Sequence, residues 1–207
     1  SNTRQPPVQP LVVLDHKAYP ANWLGVDYLF NREGTRMVYG AALLSEKKDL
    51  ILQDQVVVVD NGKPSQVWPE AGDLRMSSDG KRIAYRVERK DTRQFVLLDG
   101  QSQPDYDEVR EPKFSPVGNR FAYTAAEKVA GREKRDFYAI VDGRKFGPYG
   151  LVSGITFSPD GRRVAFRALD HQDGEMVFVD ERLSPAWEDV WWPEFSGDSR
   201  HVIYIYK

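Results

Sequence analysis

Three carboxylates recur at one place in successive copies of a repeated sequence, and they are the residues best suited to chemistry. They are Asp27, Asp73 and Glu111, while Gly154 and Trp192 take the same place in the fourth and fifth copies. Carboxylate oxygens that converge on one axis could bind a hard cation such as calcium. Paired carboxylates could also act as acid and base in glycoside hydrolysis. The alternative interpretation is that these acids line the mouth of a central channel in the folded repeat, where water solvates them and no specific ligand binds.

Two adjacent tryptophans, Trp191 and Trp192, stand beside the fifth position of this set. Neighbouring strand residues point to opposite faces, so we expect one ring to pack between sheets and the other to face the channel. An exposed Trp beside acids would suit a sugar or an aromatic side chain. Core packing is the favoured interpretation of the pair.

Another aromatic residue recurs once in each copy of the repeat, and we interpret it as structural because a ligand rarely needs fivefold repetition. The members of this set are Trp23, Trp68, Tyr106, Tyr149 and Trp187.

The repeat is built on a five-residue phrase of the type Phe-Ser-Pro-Asp-Gly, followed by a short apolar strand that ends in an aromatic. Its copies begin at Phe30, Met76, Phe114, Phe157 and Phe195. Asp and Gly favour a tight turn, because Asp bonds to nearby backbone and Gly accepts positive φ. A period of about forty residues is typical of four-stranded propeller blades.

A second marker runs in step with the first: an apolar strand that ends in aspartate. It occurs at Asp15, Asp60, Asp99, Asp142 and Asp180. Three of these aspartates continue into Gly or Asn-Gly, which predicts a hairpin turn. Each copy therefore predicts four strands joined by a turn, a variable loop and a second turn.

A basic residue recurs just before the second strand of each copy. A planar donor at a fixed position usually ties turn or neighbouring-blade carboxylates together, so we interpret this set as scaffold. It consists of Arg36, Arg82, Arg120, Arg163 and, in the fifth copy, His201.

The order of the markers at the chain ends predicts that the fold closes into a ring. The chain opens on the third-strand marker at Asp15 and closes on a second strand, Val202 to Tyr206. Joined together, these halves complete one more sheet. The sequence thus predicts an all-β fold, a closed five-bladed propeller over residues 11–207 with no unpaired edge, after a flexible segment at 1–10. The alternatives are an open solenoid or a fragment of a larger propeller.

Two charged connections exceed the minimal blade, one around Lys47 and Lys48 and the other around Arg132 and Arg135. Both join second to third strands, so both should emerge on one face of the ring. Variable loops on a rigid scaffold are where recognition is usually placed. We therefore predict a binding surface from these four cations and the channel mouth, the alternative being that the loops are merely soluble hairpins. The residues that the channel mouth contributes to this predicted binding surface are Asp27, Asp73, Glu111 and Trp192.

Composition narrows the class of partner. The 207 residues carry 29 Lys and Arg against 31 Asp and Glu, a formal net charge of -2. That balance argues against nucleic acid or an anionic membrane as the partner. The absence of cysteine excludes disulfides and cysteine-based metal sites. No apolar run approaches the roughly 18 residues that would suggest a membrane-spanning helix, and residues 1–10 lack the apolar stretch of a signal peptide.

The stretches Phe157-Ser-Pro-Asp-Gly-Arg-Arg-Val-Ala-Phe166 and Met76-Ser-Ser-Asp-Gly-Lys-Arg-Ile-Ala-Tyr85 resemble the WD-like repeat of TolB-type β-propellers. The resemblance implies a periplasmic or extracellular protein that binds partners, and it carries over no catalytic residue and no cofactor. We therefore expect a monomeric, non-enzymatic scaffold for a protein partner. The alternative is a carbohydrate-binding or glycoside-cleaving propeller that uses the channel carboxylates, with calcium in the channel.

Overall fold

The structure is a computed structural model that describes residues 11–14, 17–20, 23–44, 51–131, 134–172 and 174–207. These residues form twenty β-strands, and every pairing between named strands is antiparallel. In this part of the chain there is no helix, and thus none that could cross a membrane. The predicted flexible segment at 1–10 lies outside the described residues.

The strands form four four-stranded sheets between two two-stranded ones. The N-terminal pair is β1 (Leu11–Leu14) and β2 (Lys17–Pro20). Sheet 1 is β3 (Trp23–Phe30), β4 (Met37–Leu44), β5 (Ile51–Asp60) and β6 (Lys63–Pro64). Sheet 2 is β7 (Glu70–Met76), β8 (Ile83–Glu88), β9 (Gln94–Leu98) and β10 (Gln101–Ser102). Sheet 3 is β11 (Glu108–Phe114), β12 (Phe121–Lys128), β13 (Arg135–Val141) and β14 (Arg144–Tyr149). Sheet 4 is β15 (Leu151–Phe157), β16 (Val164–Leu169), β17 (Glu175–Val179) and β18 (Arg182–Leu183). The C-terminal pair is β19 (Glu194–Phe195) and β20 (Val202–Ile203).

The repeated phrase forms the turn between the first two strands of a sheet. In sheet 2 the Ser77 hydroxyl donates to Asp79 Oδ1 at 2.6 Å and accepts from the Arg82 amide at 2.9 Å. Where Val117 replaces the aspartate, the Ser115 hydroxyl donates instead to the Val117 carbonyl. The predicted turns are therefore present, and the atypical copy closes by a different bond.

In sheets 2, 3 and 4 the aspartate that follows the third strand caps the second strand of the same sheet. Asp99 Oδ1 accepts from the Ile83 amide at 2.9 Å, and the same bond recurs in sheets 3 and 4. In sheet 1 this bond is made by Asn61, while Asp60 holds Arg36. The alignment of Asp60 with the other marker aspartates is therefore wrong by one residue, because Asn61 is the residue that can adopt the left-handed turn position there (φ 45°).

The recurring arginine joins each sheet to the next. Arg82 donates from Nε to Asp99 of its own sheet at 2.7 Å and from Nη1 to the Asn119 carbonyl of sheet 3 at 2.6 Å. This bridge confirms the scaffold interpretation. The equivalent arginines make the same pair of bonds.

The hydrophobic core is divided among the junctions between sheets. One cluster joins sheets 1 and 2, with Val38, Val58 and Leu74 among its members. Two more join sheets 2 and 3 and sheets 3 and 4. The recurring aromatic packs against the following sheet, as in the edge-on contact of Trp68 with Phe95 at 5.6 Å. Its structural role is confirmed for the four members whose side chains are described, and the side chain of Trp23 lies outside the described part of the structure. Further contacts of this kind are Tyr106–Tyr123, Tyr149–Phe166 and Trp187–Tyr204.

The predicted closure of the ring is not observed. Strand β1 pairs with β2, and β20 pairs with β19. Among the described residues no hydrogen-bonded pairing joins β20 to β1. The all-β architecture of four-stranded antiparallel sheets is thus as the sequence predicts, and the closed five-bladed ring stays a prediction.

Candidate functional site

The described members of the predicted carboxylate set lie at β-bulges. Asp73, Glu111 and Gly154 have φ angles of 54°, 54° and 64°, in the left-handed region that favours glycine. At each bulge two residues of the inner strand oppose one residue of the second strand. The backbone therefore restricts the residue types at this place, and the glycine of the fourth copy is the sequence signal for it.

The Asp73 carboxylate is ion-paired. Arg86 on β8 donates from Nε to Asp73 Oδ2 at 3.1 Å and from Nη2 to Glu70 Oε1 at 2.6 Å. Burial opposes the guanidinium charge, but the two carboxylates outweigh it and raise the pKa of Arg86. Glu111, in contrast, is exposed. One acid of the predicted set is thus neutralised by a partner and the other faces solvent.

Asp27 lies in β3 with its backbone opposite Gly40, and its side chain lies outside the described part of the structure. Within the described residues no group of three or more His, Asp or Glu could hold a metal ion. Because the Asp27 carboxylate is not among them, the calcium expectation stays a prediction.

The predicted cationic loops are only partly described. Lys47, Lys48 and Arg132 lie outside the described residues. Arg135 begins β13, and its Nη1 donates to Glu108 Oε2 at 2.6 Å. The Arg135 guanidinium is thus already held by a carboxylate, and the binding role of the four cations stays a prediction.

Both adjacent tryptophans are at the surface. The side chains of Trp191 and Trp192 are 65% and 64% exposed, so the core-packing interpretation is wrong for both rings. The alternation rule fails because residues 188–193 form no regular strand, apart from one isolated bridge between Val190 and Tyr206. Trp192 lies across Gly154, where an added Cβ would come within 2.7 Å of its Cδ1 atom.

The two rings border a cavity of ≈ 300 Å³. Asp189 and Glu194 lie on its rim, and both are exposed. We name this cavity the tryptophan pocket. Sequence reasoning missed both acids, whose only signal is their position on either side of the tryptophan pair. Its lining residues are Arg167, Asp189, Val190, Trp191, Trp192 and Glu194.

The positive charge of Arg167, the arginine of the tryptophan pocket, is neutralised by a buried carboxylate. Arg167 Nη2 is ion-paired with Glu175, which is 8% exposed. The other Glu175 oxygen accepts from the Val190 amide at 2.5 Å. Arg167 Nε is buried and makes no hydrogen bond within the described structure. The pair therefore fixes the wall of the pocket, and the pocket's net negative charge comes from its two exposed acids.

A larger cleft of ≈ 610 Å³ lies between sheets 3 and 4, at the opposite ends of the strands. Three of its four arginines are ion-paired with acids of the same cleft, so little of its charge is left for a ligand. The pairs are Arg120–Asp142, Arg144–Glu181 and Arg163–Asp180.

No model of a known protein family matches the sequence, and no curated protein is similar to it in sequence. Solved structures are similar in fold. The acylaminoacyl peptidase of Pyrococcus horikoshii has a TM-score of 0.53 and 13% identity over 89% of this chain and 36% of that one. The β-propeller domain of the trilobed protease from Pyrococcus furiosus has a TM-score of 0.51 and 14% identity over 78% of this chain and 56% of that one. TolB from Acinetobacter baumannii has a TM-score of 0.45 and 13% identity over 90% of this chain and 50% of that one.

Together with the row of four-stranded sheets, the similarities to the two Pyrococcus structures show that the chain has a β-propeller fold. TolB proteins are among the solved structures that it resembles, as the repeat motif predicts. The chain spans between 36% and 56% of the length of these three structures. At such identities the likeness concerns the fold, and the peptidase activities belong to those proteins.

Proposed function

We propose that the chain is a non-enzymatic binding scaffold that engages another protein through the tryptophan pocket and the loops around it. The observation that carries this proposal is the exposure of Trp191 and Trp192, side by side, at the rim of a cavity. Tryptophan is enriched among the few residues that dominate protein–protein binding. Large exposed aromatics beside polar residues are characteristic of interaction surfaces.

The position of the pocket in the fold supports this proposal. Because the strands alternate in direction, the connection from β18 to β19 lies at the same end of the sheets as the connection from β12 to β13. The tryptophan pocket and the connection between β12 and β13 therefore share one face. Recognition on rigid β-scaffolds is commonly built from such loops.

We also propose that β1 closes the ring by pairing with β20. Ile203 and Ile205 are 66% and 59% exposed. The residues equivalent to Ile203 in the four complete sheets are fully buried: Val38, Ala84, Ala122 and Ala165. The first three belong to clusters that join their sheet to the next. Covering Ile203 and Ile205 in the same way would remove apolar surface from water, which favours closure.

The first sheet has a matching exposed residue. Tyr28 is 70% exposed, whereas its equivalents Leu74 and Ile155 are 3% and 1% exposed. Leu74 is buried in a cluster with Val38 and Val58 of the preceding sheet. A sheet formed by β19, β20, β1 and β2 would supply the corresponding surface to Tyr28.

An engineered disulfide tests the closure. In sheet 2 Arg86 pairs with Val96, and the same register would pair Ile205 with Val12. The variant Val12→Cys plus Ile205→Cys should form an intramolecular disulfide, since paired strands bring Cα atoms within about 4.4–6.8 Å. The chain has no other cysteine. Ile205→Cys combined with Ser102→Cys, on an outer strand of sheet 2, is the control. A thiol pair that stays reduced would instead favour an open ring, comparable to the open velcro topology of the trilobed protease propeller.

Site-specific photo-crosslinking tests the scaffold function. A benzophenone amino acid placed at Glu188, an exposed residue next to Asp189 of the tryptophan pocket, should crosslink one discrete protein from an envelope extract of the source cell. The same probe at Glu181, in the opposite cleft, is the matched control. The crosslink should disappear when Trp191 and Trp192 are replaced by alanine. No crosslink at Glu188, or equal yields at the two positions, would refute the proposal.

The same rings favour a second candidate, a carbohydrate ligand. Sugars stack on exposed aromatic rings and bond to carboxylates, and the tryptophan pocket offers both. A glycan panel should then show binding that is lost with Trp192→Ala. Turnover of aryl glycosides would extend this candidate to cleavage by the channel acids, and absence of glycan binding would remove it.

The motif resemblance to TolB-type propellers supports two further parts of the proposal, a periplasmic or extracellular location and a monomeric state. Fractionation of the source cell and analytical ultracentrifugation of the purified chain test them separately.

A further inference from the structure

The tryptophan pocket differs from an ordinary apolar anchor site in its charge. Two aromatic rings and two exposed carboxylates surround the opening. We infer that the pocket takes a single cationic side chain, lysine or arginine, from the protein partner. This inference rests on the proposed scaffold function and specifies the partner's chemistry.

The electrostatics of the pocket favour a cation. Indole is the aromatic group that attracts cations most strongly through its ring face. Asp189 and Glu194 add full negative charges, and neither has an ion-pair partner among the described residues. Among the described residues of the lining, the one cation is Arg167, which is already paired with the buried Glu175. An anionic ligand would meet two like charges at the rim, which disfavours it.

The size of the pocket is sufficient for one long side chain. A cavity of ≈ 300 Å³ stands at the lower end of the range of small-molecule sites, about 300–1,000 Å³. Val190 is 1% exposed and forms part of the wall, with its amide held by Glu175. The stem of a lysine or arginine can contact the rings while its charged head reaches the carboxylates.

Three short peptides test the inference with the intact chain: Ac-Gly-Arg-Gly-NH2, its Gln analogue and its Glu analogue. The readouts are tryptophan fluorescence and the indole N–H signals in an NMR titration. We expect shifts of the Trp191 and Trp192 indole signals with the arginine peptide and weaker or no shifts with the other two. Because the attraction is electrostatic, the affinity for the arginine peptide should fall as salt is raised.

Two variants separate the rings from the acids. Trp192→Leu should weaken binding of the arginine peptide about two- to fivefold, the range expected for a partly exposed cation–π contact. Asp189→Asn plus Glu194→Gln should weaken it and abolish its salt dependence. Glu181→Gln, which removes an exposed acid from the opposite cleft, is the matched control and should change neither quantity.

Equal binding of the Gln peptide, or tighter binding of the Glu peptide, would overturn the inference. No shift with any peptide would also overturn it. These outcomes leave the scaffold proposal standing if the Glu188 crosslink is formed and is lost on replacing both tryptophans. Failure of the crosslink together with normal arginine-peptide binding would instead remove the protein-partner proposal and keep the cation site.

Discussion

The junctions between the complete sheets differ from the outer side of the C-terminal pair, although both use the same repeat. In the junctions, the residue that follows the first apolar position of the second strand is fully buried, as Ala84 and Ala122 are. On the C-terminal pair the equivalent residue, Ile203, is 66% exposed. The sequence is more hydrophobic where the structure is more open. From this contrast we infer that the sequence of the repeat is adapted to a neighbouring sheet on that side, and that Ile203 is suited to burial against it.

The largest effect should come from Ile203. If β1 and sheet 1 cover this residue in solution, Ile203→Ala should lower the free energy of unfolding by about 2–5 kcal/mol, as large-to-small changes in cores do. Urea unfolding followed by tryptophan fluorescence measures the loss. Leu74→Ala, in an observed junction, is the positive reference.

Leu183→Ala is the negative control, because Leu183 is 45% exposed at the outer edge of sheet 4. Such surface changes usually stay within about 0.5 kcal/mol. An Ile203→Ala variant as stable as Leu183→Ala would show that this side of the molecule stays open, and the contrast with the junctions would then be a real feature of the fold.

Gly161 tests the comparison at an observed junction, the one between sheets 3 and 4. Its φ is +73°, and an added Cβ would lie 1.9 Å from the Val117 carbonyl oxygen of sheet 3. Gly161→Val should lower the free energy of unfolding by about 2–4 kcal/mol, from left-handed strain together with overpacking. Gly118→Val is the matched control, because Gly118 has φ +81° and nothing within 4 Å of an added Cβ.

Thermal or urea unfolding of the two variants separates backbone strain from contact between sheets. We expect Gly118→Val to cost about 1–2 kcal/mol, the strain alone. Equal losses in the two variants would mean that the turn of sheet 4 does not rest on the turn of sheet 3.

The sequence predicts those parts of the fold that depend on local chemistry. The turn at Ser77 follows from a hydroxyl that bonds to Asp79 and to the Arg82 amide, two and five residues away, so the spacing of the phrase alone indicates this turn. The shift from Asp60 to Asn61 could not be predicted, since both residues suit a turn and only the strand register distinguishes them. The predicted pairing of β1 with β20, which is not observed, would join strands that are far apart in sequence. Local sequence patterns do not determine whether such strands pair.

The candidate site was harder to predict for a related reason. The carboxylate positions recur because a left-handed bulge recurs, so periodicity at Asp73 and Gly154 reflects the backbone as well as any ligand. The exposure of Trp192 depends on the irregular path of residues 188–193 and on close contact with Gly154 of another sheet. Strand alternation predicts neither, and this is why the core-packing interpretation is wrong.

The arginine bridges should contribute less than the apolar contacts. Arg120 donates to Asp142 at 2.7 Å and to the Arg162 carbonyl of the next sheet. Arg120→Met keeps the stem and should lower the free energy of unfolding by about 1–2 kcal/mol, because charge-assisted bonds at a partly exposed site are worth that order. Urea unfolding measures it.

Arg110→Met is the matched control. Arg110 is exposed and is ion-paired with Glu108 of its own strand, so its loss should cost at most about 0.5 kcal/mol. If the two variants were equally stable, the arginine bonds between sheets would result from the packing of the sheets and would not add to the free energy of unfolding.

The smallest effect should be the pH dependence of the stability contributed by the turns that the repeated phrase forms. The pKa of Asp160 is lowered by hydrogen bonds from the Ser158 hydroxyl and the Arg162 amide. The Ser77 and Ser196 hydroxyls lower the pKa of Asp79 and of Asp198 in the same way. A carboxylate with a lowered folded pKa stabilises the fold above its unfolded pKa, about 3.9, and this stabilisation is lost as the pH falls through the folded value.

The melting temperature should therefore decline as the pH falls below about 4, and the triple variant Asp79→Asn, Asp160→Asn, Asp198→Asn should flatten that decline. The turn of sheet 3 offers a gain-of-function control, because Val117 replaces the aspartate there. Val117→Asp should steepen the acid decline by adding a fourth titrating turn. An unchanged acid profile in both variants would mean that the turns, though hydrogen-bonded, are equally well formed with a protonated carboxyl, and that acid sensitivity arises in the ion pairs between sheets instead.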